Sequence, residues 1–139
     1  MTPPTAAERL RSNLRQHLDS LGLLAELLQQ EHTALSGDDP GALEQITRAK
    51  ANAAEHLHTL GRELQALRTP DTAQSADWTA VQALAGRCQS ANAANATLLD
   101  LRTRSVRSRL QVLRGPPVAT VYDRSGSAYG AGSRRLGLA

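Results

Sequence analysis

Phenylalanine is absent from this chain, and the only aromatic residues are Trp78, Tyr122 and Tyr129. β-Branched apolar residues are equally scarce, at five Val and one Ile. Strands are built from these residue types, so an extended sheet is excluded. A single cysteine, Cys88, rules out a disulfide framework within the chain. With no CxxC and no Cys/His cluster, nothing suggests structural zinc. No apolar run is long enough to span a bilayer, and the start, MTPPTAAERLR, lacks the apolar core of a signal peptide. The expectation is a soluble, cytoplasmic protein without membrane insertion. Lysine is nearly missing too: fifteen of the sixteen basic residues are Arg.

What the chain has instead is alanine and leucine, 45 of its 139 residues. Both favour helices. The expected fold is all-α: an antiparallel helical hairpin plus a long third helix, forming a three-helix, coiled-coil-like bundle. The first helix is read over about residues 5–36, opened by Thr5 and Glu8 at capping-box spacing. Its stripe is Leu10, Leu14, His17, Leu21, Leu24, Leu28, Glu31 and Leu35, a seven-residue repeat with polar intruders at His17 and Glu31. Asp39 is a good N-cap and Pro40 a good first residue for the second helix, over about 40–68. Leu43, Ile46, Lys50, Ala53, Leu57, Leu60, Leu64 and Leu67 carry the same repeat there. After a polar loop, Asp77 is read as the cap of a third helix over about 77–114. Gly115-Pro116-Pro117 stops that helix, and residues 115–139, rich in Gly, Ser and Arg, read as a flexible tail beside a 1–114 domain.

The short first connection makes the first two helices antiparallel. Centring the turn near Asp39 sets Leu14 against Leu64, Leu21 against Leu57 and Leu28 against Lys50. Folding the third helix back along the second puts Leu57 near Cys88 and Lys50 near Asn95. Glu31, Lys50, Asn92 and Asn95 then converge in one polar layer, read mainly as a device that fixes register. The third helix spans about 55 Å against roughly 43 Å for the second, at ~1.5 Å per residue. Residues beyond about Thr103 are therefore expected to overhang, carrying Val106, Leu110, Val112 and Leu113 among arginines. An apolar stripe of this kind calls for a cover, either another protein or a second copy of the chain.

No nucleophile elbow, phosphate loop or His-Glu-x-x-His occurs, so neither an enzyme nor a cofactor or small-molecule site is expected. His56 and His58, two apart on a helix, face different ways and make poor joint ligands. Cys88 reads as a buried inert thiol and Trp78 as cover for the open end of the bundle. The arginines at 102–114 allow a nucleic-acid reading. The missing interleaved aromatics argue against it, leaving an acidic or amphipathic protein partner as the favoured contact.

Several short patterns then occur in a fixed order: Leu27, Leu28 and Glu31; an acidic turn; Lys50 followed by leucines and Arg62; Asn92-x-x-Asn95; Leu110-x-x-Leu113; and Tyr122-Asp123-x-x-Gly126. In this order they resemble FlgN, the flagellar export chaperones for hook–filament junction proteins, over about residues 8–127. The resemblance implies a cytoplasmic helical chaperone without ATPase activity. Such a chaperone binds the C-terminal helices of hook-associated proteins, prevents early assembly and delivers them to the type III export gate. It implies substrate contacts at Leu98, Leu99, Arg102, Val106, Leu110 and Leu113, with gate docking at Tyr122 and Asp123. The competing readings are a coiled-coil scaffold closing a homodimer or larger oligomer through its stripe, and a basic nucleic-acid-associated protein.

Overall fold

A computed structural model of the chain describes residues 1–114. Three long helices account for most of them: α1 (Ala6–Ser36), α2 (Pro40–Leu67) and α3 (Ala76–Leu113), with a short 3₁₀ turn, Pro70–Gln74, between the last two. No strand occurs among the described residues. None of their helices is long and apolar enough to cross a membrane. The chain divides into a unit of residues 1–99 and a second unit starting at Asp100, so α3 contributes to both.

Local signals set the helix starts. Thr5 and Glu8 form the capping box: the Glu8 amide donates to the Thr5 hydroxyl at 3.1 Å, and the Thr5 amide donates to the Glu8 carboxylate at 3.4 Å. The Asp39 carboxylate accepts from the Ala42 amide at 3.0 Å, and Pro40 takes the first helical position, where a missing N–H costs nothing. The entry to α3 differs from the sequence reading. Helix geometry begins at Ala76, and Ser75 supplies the first accepting carbonyl, to Thr79 at 3.1 Å. Asp77 thus sits inside the first turn, where its charge complements the helix dipole, and is not the cap. The expected polar loop is the 3₁₀ turn, tied by the Thr69 amide donating to the buried Thr72 hydroxyl at 2.9 Å.

Within the first unit α1 and α2 are antiparallel, because Asn13 meets Leu60 and Glu31 meets Lys50. α3 runs parallel to α1, with Cys88 against Leu21 and Asn95 against Leu28. The seam that this register closes contains Leu14, Leu21, Leu28, Leu64, Val81 and Cys88. Leu10, Leu24, Leu57, Leu84 and Trp78 pack on it as partly buried neighbours. Burying a leucine contributes about 1.5–3 kcal/mol, so this Leu-rich seam is the main favourable term of the unit. Trp78 stays half-buried, and the Arg68 guanidinium lies over its ring, 5.4 Å from the centroid.

Candidate functional site

Two polar clusters cross the seam of the first unit. In the larger, the Lys50 ammonium donates to both Glu31 carboxylate oxygens at 3.0 Å and to Asn92 Oδ1 at 2.9 Å. Asn95 Nδ2 donates to Glu31 Oε1 and to the Leu28 carbonyl, both at 2.9 Å. The four residues Glu31, Lys50, Asn92 and Asn95 therefore meet in one layer, one from each of α1 and α2 and two from α3. The Glu31 and Lys50 side chains are 13% and 24% exposed, so this ion pair lies partly out of water. Its charges are well coordinated, which is what a paired buried charge requires.

The second cluster was not singled out from the sequence. Asn13 is 1% exposed and donates to the Leu60 carbonyl at 3.0 Å. Its Oδ1 lies 2.8 Å from His17 Nδ1, which also faces the Asn13 carbonyl at 3.2 Å. Both neighbours of Nδ1 are acceptors, so Nδ1 carries a proton. His17 is itself buried, at 7% exposed. The clue in the sequence was the four-residue spacing of Asn13 and His17, which places them one turn apart on a helix.

A groove of about 300 Å³ runs over Leu21, Leu24 and Leu28, between Lys50 and Ala54 on one side and Cys88 and Asn92 on the other. The Cys88 thiol faces the Leu21 carbonyl at 3.5 Å. Burial pushes its pKa above the ordinary 9.0, with Arg87 pulling the other way. A thiol held neutral is a poor nucleophile and a poor metal ligand. Among the described residues no group of three His, Cys, Asp or Glu side chains could hold a metal ion. His56 and His58 are both exposed on α2.

The substrate-contact residues expected from the sequence fall at the far end of α3. Leu98 is half-buried and Leu99 exposed at the end of the first unit. In the second unit Val106, Leu110 and Leu113 are exposed, at 48%, 46% and 82%, while Arg102 is half-buried. Spacings of four and three residues put Val106, Leu110 and Leu113 on one face of the helix. Leu101 and Val112, also exposed, fall outside that face. Leu101 escaped the sequence reading because it is out of phase with the repeat. Asp100 pairs with Arg104 at 3.0 Å, and residues 101–114 contain no acidic residue. Tyr122 and Asp123 lie outside the described residues.

The charges are unevenly distributed along the chain. Residues 1–99 hold eleven acidic and eight basic residues, whereas 100–139 hold two acidic and eight basic ones. The modest net charge of +3 thus hides an acidic bundle sequence followed by a strongly basic end.

The family model described as FlgN protein matches residues 1–130 of the chain. No curated protein and no solved structure gives a match.

Proposed function

The chain belongs to the FlgN family, a family of flagellar export chaperones rather than of enzymes, and on that premise we propose that it binds the C-terminal helices of hook-associated proteins in the cytoplasm. The observation that carries this reading is the apolar face of Val106, Leu110 and Leu113, left in water at the end of α3. Subunits that polymerise through terminal amphipathic helices must have those helices covered until export. An apolar helix face is the surface that lays against such a helix and excludes water from both. Leu98, Leu99 and Arg102 are the further contact residues of this reading. Residues 1–114 hold the substrate, and Tyr122 with Asp123 brings the complex to the export gate. No nucleotide or metal enters this scheme, since holding a helix needs only a complementary surface.

Affinity is moderate in this scheme, because the gate must be able to take the substrate. The test is calorimetric titration of the full chain with the C-terminal segment of a hook-associated protein, for wild type and Leu110→Asp/Leu113→Asp. Micromolar or tighter equimolar binding that the double variant loses is the expected result. Binding that survives the substitutions keeps the function and moves the site to the bundle. No binding, together with a wild-type dimer that the variant converts to monomer, overturns the reading in favour of a self-associating scaffold.

A further inference from the structure

Building on the chaperone reading, we infer that the end of α3 selects its partner by charge: it takes an amphipathic helix whose apolar stripe is flanked by carboxylates, and Arg107, Arg109 and Arg114 are the residues that discriminate. Helical spacing gives the arrangement. Arg109 lies three residues after Val106 and four before Leu113, so it borders the apolar face on one side. Arg107 and Arg114 lie three before and four after Leu110, and border it on the other. All three are exposed. No carboxylate of residues 101–114 competes for them, and Asp100 already pairs with Arg104. Arginine stems can cover the edges of an apolar stripe while their guanidinium forks stay in water, where they match carboxylates in shape and charge.

This charge pattern decides among the occupants that an apolar face could accept. A second copy of the same stripe would set Arg107, Arg109 and Arg114 against their own kind. A copy docked through its bundle offers little apolar surface, since the large apolar side chains exposed among residues 1–99 are Met1, Leu23 and Leu99. Nucleic acid would satisfy the arginines but strand Val106, Leu110 and Leu113 against phosphate, and residues 100–114 hold no aromatic ring for stacking on bases. An acid-flanked amphipathic helix satisfies both the stripe and its borders.

The test uses the full chain and two synthetic amphipathic peptides with one leucine stripe, flanked in one by Glu and in the other by Lys. Titrations are run beside the C-terminal segment of a hook-associated protein. Exposed Arg–carboxylate pairs are individually weak, so three together give an expected preference of roughly tenfold for the Glu peptide. That preference shrinks towards unity between about 0.05 and 0.5 M salt as the charges are screened. It reverses in Arg107→Glu/Arg109→Glu/Arg114→Glu, whose helical circular dichroism matches wild type because no core residue changes.

Equal affinity for the two peptides overturns the inference. So does an oligonucleotide that displaces the Glu peptide, or sedimentation showing a dimer that the triple variant does not weaken. If the hook-associated segment binds while the Glu peptide does not, charge selection falls and the chaperone reading stands. If the Glu peptide binds while the segment does not, the surface is as inferred and the chaperone reading falls.

Discussion

Glu31 and Lys50 are the residues at which the chain departs most from an all-apolar seam. Each charge is costly to bury alone, but together with Asn92 and Asn95 they make five hydrogen bonds, one of them to the Leu28 carbonyl. Lys50→Met removes the ammonium and leaves a partly buried carboxylate with Asn95, so a loss of about 1–3 kcal/mol in urea unfolding is expected. Lys50→Met/Glu31→Leu should recover most of that loss, because an apolar pair of similar volume no longer has charge to desolvate. A double variant as unstable as the single would contradict a compensated ion pair. This layer was legible beforehand because Glu31 and Lys50 fall on the seven-residue stripes of the first two helices, and folding the third helix back along the second brings Asn92 and Asn95 beside them. Asn13 was not. It stands beside Leu14, off the stripe, and its burial is explained by its contacts with the Leu60 carbonyl on α2 and with His17.

Helix limits lie within about a residue of those read from Pro, Gly and cap residues, because such signals act locally. The exception is the start of α3, where Asp77 was read as the cap and Ser75, two residues earlier, stands at the helix entry. The 3₁₀ turn between Pro70 and Gln74 settles the start by delivering Ser75 to the helix entry. Besides Gly41 in the first turn of α2, three glycines sit in helix interiors: Gly22, Gly61 and Gly86, one in each helix. None would bring a Cβ within 4 Å of another group beyond its own helix and chain neighbours, so no close approach of backbones explains them. Gly86→Ala, on an exposed position of α3, should therefore stabilise the protein by about 0.5–1 kcal/mol. A rise in the urea midpoint at unchanged slope is the readout. A fall would mean that α3 needs freedom at that position.

For the whole molecule, the segregation of charge was written in the sequence but concealed by averaging over the chain. Residues 1–99 are acidic on balance and bury the seam; residues 100–114 expose leucine and valine beside arginine. Hydrophobic periodicity alone could place Val106, Leu110 and Leu113 on one face. It could not say whether that face meets water; the comparison of helix lengths led to that expectation, and all three residues are exposed in the fold. The two parts therefore differ in stability as well as charge: one is held by tertiary packing, the other by a helix whose apolar face is in water.

Hydrogen–deuterium exchange of the full chain, alone and with the C-terminal segment of a hook-associated protein, tests this division most directly. Amides of 100–114 should exchange fast in the free protein and slow markedly on binding, while the core of α1 and α2 stays protected throughout. Protection gained instead over the Leu21–Leu28 groove, with 100–114 unchanged, would contradict the placement of the docking surface at the end of α3.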